Sequence, residues 1–209
     1  MSREPRTGNV EKFKARTSKQ LAWTCWAIAV LGVFITLVVG GAGALPGAAP
    51  LMLIAFLGWL LFWRPTVIVG DSGVTLENPY KTIHVPWEAL VQVDTRYALT
   101  LMTPRRKYAA WAAPAPGIWG GRNARPEHLK GLPGTTYGPR SSVRPGDLKN
   151  TDSGAAAFLV RSRWEDLVET ARVEPGMADD AAVTVAIGWF RVIATVALAA
   201  ASYWAIFLH

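Results

Sequence analysis

The stretch KTIHVPWEALVQVDTRYALTLMT, residues 81–103, alternates apolar and polar side chains, as a strand with one buried face does. Val85 belongs to its apolar set, whereas His84 and Asp94 belong to its polar set. Because Pro86 cannot donate a hydrogen bond to a central ladder, we expect two strands joined by a corner at PWEAL. The stretch therefore predicts an antiparallel sheet that bends at this corner.

The sequence on either side of the corner predicts further hairpins and one helix. In residues 66–78, TVIV and VTLEN flank GDSG, a composition typical of hairpin turns; in residues 97–113, YALTLMT and YAAWAA flank PRRK. The apolar spacing of residues 155–175 predicts a helix, which Asp152 or Ser153 could cap. Strands followed by a single helix predict an α+β domain whose C-terminal helix closes the open end of a bent antiparallel sheet or barrel.

Residues 117–154 lie between the predicted strands, residues 64–116, and this helix. They are rich in Gly, Pro and Arg and contain too few aliphatic side chains to offset the entropy lost on ordering. We therefore predict a flexible basic insertion. It is either a spacer or a segment that becomes ordered on a partner through its two aromatic side chains, Trp119 and Tyr137.

Long apolar segments on both sides of this domain predict three transmembrane helices. We place span one at residues 21–44, span two at residues 45–63 and span three at residues 184–208, since a helix needs roughly 20 apolar residues to cross a bilayer. The predicted fold class is a membrane protein with three transmembrane helices plus an α+β domain.

The distribution of charge predicts the orientation of these spans. Residues 1–20 form a basic segment before span one, whereas the turn between spans one and two has no charge, so the positive-inside rule places the N-terminus and the α+β domain in the cytoplasm and the C-terminus outside. An alternative treats residues 1–44 as a signal peptide, because Ala42, Gly43 and Ala44 resemble a cleavage site. The apolar stretch is longer than a usual signal-peptide core, which favours span one.

Two sets of residues in and beside the spans have predicted structural roles. The ionisable Arg191 lies in the first turns of span three, where its side chain can extend to the headgroups, so we interpret it as an anchor rather than an active residue. The predicted interface anchors are Arg64, Trp189, Arg191 and Trp204. Small residues at four-residue spacing predict packing faces, used either among the protein's own spans or with other membrane proteins: Gly32, Thr36 and Gly40 in span one, and Ala197, Ala201 and Ala205 in span three.

The net charge of +7 favours anionic lipid headgroups over nucleic acid as a partner, because many basic residues lie beside the apolar spans. Arg105, Arg106 and Lys107 at the PRRK turn are candidate contacts with lipid or a protein partner, each contributing on the order of 1 kcal/mol against an anionic leaflet. Asp71 makes the first hairpin turn acidic instead of basic.

The sequence lacks the patterns that would predict catalysis. Its three histidines are scattered, Cys25 is its one cysteine, and it has no P-loop, GxSxG or GxGxxG motif. We therefore predict no catalytic, metal or cofactor site.

The residues RPTVIVGDSGVTLENPYKTIHVPWEALVQVD, followed by YAAWAAPAPG, resemble actinobacterial membrane proteins that carry a bacterial pleckstrin-homology (PH) domain, of the low-molecular-weight protein antigen type. The resemblance covers about residues 51–116, and the predicted helix matches more loosely. It implies a PH-like fold and a bacterial plasma membrane location. Span three and the basic insertion depart from the family's usual pattern of two helices before the domain.

Two functional hypotheses follow from these observations. The first is a non-enzymatic membrane adaptor or scaffold whose cytoplasmic PH-like domain docks a protein partner or the anionic inner leaflet. The second is an accessory subunit built into a larger membrane complex with other integral membrane proteins, for example a respiratory complex.

Overall fold

The computed structural model describes residues 10–116, 133–136, 144–170 and 181–207. The chain forms two compact units. The sheet unit comprises Met1–Lys14, Thr66–Asn78 and Thr82–Ala186, and the helix unit comprises Ala15–Pro65, Pro79–Lys81 and Ile187–His209.

The helix unit contains three helices that are long and apolar enough to cross a membrane, at Thr17–Gly40, Gly43–Trp63 and Trp189–Phe207. The first is α1 (Arg16–Gly40). The second begins in a 3-10 turn (Gly41–Ala48), continues as α2 (Ala49–Gly58) and ends in a π-helical turn (Trp59–Trp63). The last is α4 (Trp189–Phe207), which contacts α2.

Small residues bring α1 and α2 together as an antiparallel pair. A Cβ atom on Gly32 would lie 2.7 Å from Leu51 Cδ2, and one on Gly58 would lie 2.6 Å from Cys25 Cβ, so both glycines allow an approach that a side chain would prevent. Beside the Gly58 contact, the Trp26 indole N–H donates to the Ala55 carbonyl at 3.1 Å. Close packing and one interhelical hydrogen bond thus hold the pair.

The described part of the sheet unit contains two sheets and one α-helix. The five-stranded sheet has the order β1-β2-β3-β4-β8, and the three-stranded sheet has the order β5-β6-β7. Its elements are β1 (Glu11–Phe13), β2 (Thr66–Val69), β3 (Gly73–Glu77), β4 (Lys81–Pro86), β5 (Gln92–Asp94), β6 (Ala98–Met102), β7 (Lys107–Pro114), α3 (Asp152–Glu169) and β8 (Thr184–Ile187).

The core of the sheet unit follows the predicted alternation. On β4, Ile83 and Val85 are buried, whereas His84 between them is only half-buried. The expected corner is a 3-10 turn, Trp87–Ala89, whose buried Trp87 donates its indole N–H to the Gly70 carbonyl at 3.0 Å. The helix α3 contributes the core residues Ala156, Ala157, Val160 and Leu167. Apolar faces of both sheets and of α3 therefore enclose one core.

Two short strands correct the boundaries predicted at the ends of the chain. Within the segment predicted as a basic leader, residues 1–20, β1 pairs antiparallel with β2. Within predicted span three, residues 184–208, the chain forms β8 up to Ile187 and the helix starts only at Trp189. The prediction was wrong here because the apolar, β-branched residues of β8 run directly into an apolar helix, and periodicity cannot separate the two.

The start of α3 also differs from the prediction. The helix begins at Asp152, and its N-cap is Thr151, whose hydroxyl accepts a hydrogen bond from the Gly154 amide at 3.0 Å. The predicted caps, Asp152 and Ser153, are already helical. The helix ends at Glu169, and residues 171–175 of the predicted helix lie outside the described residues.

The predicted flexible insertion, residues 117–154, is wrong for its C-terminal part. Residues 144–154 pack against the sheet unit, with the Ser153 hydroxyl donating to the Gly146 carbonyl at 2.7 Å. Gly146 lies directly against the backbone of Thr95, where a Cβ atom would clash. Polar contacts and small residues order this stretch where aliphatic side chains are few. Trp119 and Tyr137 lie outside the described residues.

A buried ion pair fixes this segment to α3 and β5. Arg161 Nη1 donates to Asp147 Oδ1 at 2.7 Å, and their side chains are 6% and 4% exposed. The same carboxylate oxygen accepts from the Thr95 hydroxyl at 2.7 Å. Arg161 also donates to the Val93 carbonyl at 2.8 Å and to the Thr136 hydroxyl at 3.3 Å. Both buried charges are thus paired and hydrogen-bonded, as burial of charge requires.

Candidate docking surface

The turn between β6 and β7 presents the predicted basic residues to solvent. Arg105, Arg106 and Lys107 are all exposed. Thr103 closes the turn, because its backbone N–H and its hydroxyl both donate to the Arg106 carbonyl, at 2.9 and 2.8 Å. The Arg106 N–H donates back to the Thr103 hydroxyl at 3.2 Å. The sequence TPRRK therefore builds a short, internally hydrogen-bonded turn with three exposed cations.

The neighbourhood of this turn is apolar and cationic. The Val91 N–H donates to the Met102 carbonyl at 2.8 Å, which places Val91, 52% exposed, beside the base of the turn. Residues 95–116 contain four basic residues and no Asp or Glu. The fourth cation, Arg96, is exposed in the turn between β5 and β6. The turn at residues 105–107 thus presents three cations without an acidic residue in its hairpin, which suits an acidic partner, whereas Arg96 lies at the opposite end of the hairpin.

Asn78 fixes the outer edge of the same hairpin. Its side-chain amide donates to the Ala109 carbonyl at 2.9 Å, and its carbonyl oxygen accepts from the Trp111 N–H at 2.8 Å. One asparagine side chain thereby occupies the backbone groups of β7 that a further strand would use. This contact could not be predicted from a local pattern, because Asn78 is 31 and 33 residues from its partners.

The first hairpin turn has the opposite charge. Its residues between β2 and β3 are Gly70, Asp71 and Ser72, and Asp71 forms an ion pair with Arg163 of α3. Gly73 follows at a φ of 150°, and a Cβ atom there would clash with the Val85 carbonyl. This turn therefore carries one acidic side chain, Asp71, which is paired with Arg163, and it has no basic residue.

The predicted interface anchors all lie in the helix unit. Arg64 follows the π-helical turn, and its N–H donates to the Trp59 carbonyl at 2.9 Å. Trp189 and Trp204 are 65% and 49% exposed at the two ends of α4, separated by a rise of roughly 22 Å at about 1.5 Å per residue. Arg191 is half-buried. These positions are those the sequence predicted, while the anchoring role remains a prediction.

The two predicted packing faces differ in their surroundings. Gly32 meets Leu51, and the Thr36 methyl group would lie 3.6 Å from a Cβ atom on Gly47, so this face of α1 packs against the protein's own second span. Gly40 meets only the nearby Ala44. By contrast, two members of the α4 face are exposed and the third is half-buried: Ala197, Ala201 and Ala205.

The histidines and acidic residues do not assemble into a metal site in the part of the chain that the structure describes. His84 lies on the outer face of the five-stranded sheet, where its Nδ1 atom shares a hydrogen bond of 2.9 Å with the Thr75 hydroxyl. His128 and His209 lie outside the described residues.

Comparison with known protein families identifies the sheet unit. A family model described as the bacterial PH domain matches residues 64–147. Residues 64–147 thus contain a PH-like domain. The match runs beyond the expected limit near residue 116 and reaches Asp147, in agreement with the ordered contacts of that residue.

The PH-like domain matched here includes β2 to β7 but neither β1 nor β8. No curated protein and no solved structure matches the chain. PH domains are typically non-catalytic binding modules, and no enzyme family is matched. The PH-like domain thus suggests a docking role.

Proposed function

We propose that the protein is a membrane-integrated adaptor whose PH-like domain docks an acidic segment of a partner protein through Arg105, Arg106 and Lys107. The observation that carries this proposal is the brevity of the connections between sheet and spans. Two residues join β1 to α1, two join the π-helical turn to β2, and one joins β8 to α4. Since each residue spans at most about 3.6 Å, these short connections support a domain that is tethered closely to the spans.

The same connections support one sidedness for the domain. The strands β1, β2 and β8 belong to one sheet, so the helix ends attached to them belong on the same side of a bilayer as the sheet. The basic residues Lys12, Lys14, Arg16 and Lys19 precede or open α1, and the positive-inside rule favours the cytoplasm for such residues. The domain and N-terminus are therefore proposed to be cytoplasmic, with the C-terminus outside.

An acidic protein segment explains the basic turn better than the leaflet does. Three cations supply about 3 kcal/mol of attraction to an anionic leaflet. A chain that already inserts three helices gains little anchoring from that amount, because insertion of even one such helix is effectively irreversible. Recognition of phosphoinositides is disfavoured as well, since the first hairpin turn carries Asp71, which forms an ion pair with Arg163 of α3.

Site-specific photo-crosslinking in native membranes tests this proposal. A photoreactive side chain at Val91, beside the turn, should capture a partner from the full-length chain, and the yield should fall steeply with ionic strength. Charge reversal of Arg105, Arg106 and Lys107 to Glu should abolish that product. Arg96→Glu, an exposed cation in the opposite turn, is the control and should retain it.

Two results would remove the protein-docking proposal. One is an identical set of crosslinked proteins from the wild-type chain and the triple variant. The other is crosslinking to lipid alone, lost in the triple variant, which would assign the turn to the leaflet.

A second function, an accessory subunit of a larger membrane complex, is favoured by the α4 face. Ala197 and Ala201 are exposed, whereas Gly32 on α1 is already occupied by Leu51 of the same chain. Purification in mild detergent should then recover other membrane proteins, and Ala197→Leu with Ala201→Leu should release them. Ala199→Leu, on another exposed face of α4, is the matched control. A monomer without companions would exclude this function.

A further inference from the structure

The helix unit carries positive charge without any acidic residue. Its segments Ala15–Pro65, Pro79–Lys81 and Ile187–His209 contain five basic residues and no Asp or Glu. All five lie next to the helix ends that connect to the sheet, at the start of α1, the end of the second span or the start of α4: Arg16, Lys19, Arg64, Lys81 and Arg191. This unit therefore has no carboxylate of its own to neutralise them.

Lys81 and Arg191 flank the same backbone contact at the start of α4. The Gly188 N–H donates to the Tyr80 carbonyl at 2.8 Å, which fixes the residue preceding Lys81 against the first turn of the helix. The Tyr80 hydroxyl lies 3.2 Å from the Thr195 hydroxyl, one turn beyond Arg191 on the same face. Tyr80 thus runs alongside the helix face that carries Arg191.

The Arg191 guanidinium folds back over this junction. It covers Gly188 so closely that a Cβ atom there would overlap it. Its Nε atom is buried and has no hydrogen-bond partner among the described residues. Leaving a buried, charged donor unpaired is costly, so its environment calls for an anion with hydrogen-bond acceptors. Lys81, by contrast, is exposed and available to the same anion.

We propose that Arg191 and Lys81 form a binding site for the phosphodiester group of an anionic phospholipid, distinct from the basic turn of the PH-like domain. A guanidinium presents a planar set of donors that matches phosphate oxygens. Basic pockets at the cytoplasmic ends of transmembrane helices are a known setting for such headgroups. The exposed Trp189 beside the site provides an apolar surface at the level of the interface.

Native mass spectrometry of the full-length chain in detergent tests this site. Titration with dioleoyl phosphatidylglycerol and, separately, with dioleoyl phosphatidylcholine measures the preference for the anionic lipid. We expect wild type to prefer phosphatidylglycerol and each of Arg191→Gln and Lys81→Gln to weaken phosphatidylglycerol binding about fivefold, leaving phosphatidylcholine unchanged. Arg96→Gln removes one exposed charge in the sheet unit and should keep the wild-type preference.

Three outcomes would overturn the proposal. The first is an unchanged preference in both Arg191→Gln and Lys81→Gln; since Lys81 is exposed, its variant stays informative even if Arg191→Gln misfolds. The second is an equal loss in Arg96→Gln, which would reduce the effect to net charge. The third is displacement of the lipid by inorganic phosphate at equal concentration, which would identify a free anion as the ligand. Charge reversal of the PH-like turn should leave the lipid preference intact, so this test is independent of the docking proposal.

Discussion

Asp147→Asn tests whether the segment before α3 is anchored by its buried ion pair. In the native protein, Asp147 Oδ1 accepts from Arg161 and from the Thr95 hydroxyl, each at 2.7 Å. The asparagine keeps the shape of the side chain and removes its charge. Arg161 then remains buried with neutral acceptors alone, which are the Val93 carbonyl, the Thr136 hydroxyl and the amide oxygen of the new asparagine.

The expected cost follows from this geometry. Removing one partner of a buried ion pair typically costs about 3–5 kcal/mol. Because Arg161 keeps these neutral acceptors, we expect a value near the lower end, about 3 kcal/mol. The exposed pair between Asp94 and Arg144, with side chains 20% and 54% exposed, is the natural comparison, and Asp94→Asn should cost less than about 1 kcal/mol.

Hydrogen exchange of the full-length chain in detergent measures the difference. A loss of about 3 kcal/mol should accelerate exchange roughly a hundredfold for amides that open with this segment, including Gly154, which donates to Thr151, and Ala155. In Asp94→Asn the same amides should accelerate less than about fivefold. An acceleration below about tenfold in Asp147→Asn, or equal effects in the two variants, would refute the anchoring role of the buried pair.

Three further predictions concern other parts of the molecule. Gly58→Val should cost about 1–3 kcal/mol by forcing Cys25 away, whereas Gly43→Val, with no atom within 4 Å of a Cβ, should not lower the thermal midpoint in detergent. Asn78→Ala should cost about 1–3 kcal/mol by freeing two backbone groups of β7, measured from the denaturant midpoint. Burial raises the pKa of the Asp152 carboxyl above 3.8, so its ionised form costs stability. Asp152→Asn should match wild type below about pH 3.8 and become the more stable protein as pH rises through the native pKa, seen in denaturant midpoints across pH.

The central strands were predictable because each carries its own signal. Alternation along β4 and the GDSG turn before β3 are local patterns, and both hairpins appear as expected. Pro86 likewise marks the end of β4, after which the chain turns at Trp87. In these places the local sequence and the tertiary fold favour the same structure.

The edge strands were not predictable because they depend on distant partners. The strand β1 has only three residues, and Lys12 finds its partner Ile68 after the whole helical pair has intervened. The ion pair between Arg161 and Asp147 was not predictable for the same reason, since the sequence around each residue does not indicate its partner. Contacts between residues that are distant in the sequence determine where the edge strand and the ion pair form. Such contacts cannot be predicted from a short stretch of one sequence.

In the candidate sites, too, local features were predictable from the sequence and contacts between distant residues were not. The PRRK turn could be located from sequence because a hairpin places its tip in solvent. That Asp71 is neutralised by Arg163 could not be foreseen. Nor could the junction of Gly188 with Tyr80, which lie more than a hundred residues apart in the chain.

The order of strands in the larger sheet has a consequence for how the protein assembles. Its two outer strands, β1 and β8, are the first and last strands among the described residues, and each is followed after one or two residues by an apolar helix. The inner strands β2, β3 and β4 form consecutive hairpins and can pair as soon as they are made. The sheet can be completed only after the ribosome has synthesised the chain up to Ile187, the last residue of β8. Because unpaired edges invite association with other strands, the pairing of β1 with β2 and of β8 with β4 protects the edges of the inner hairpins.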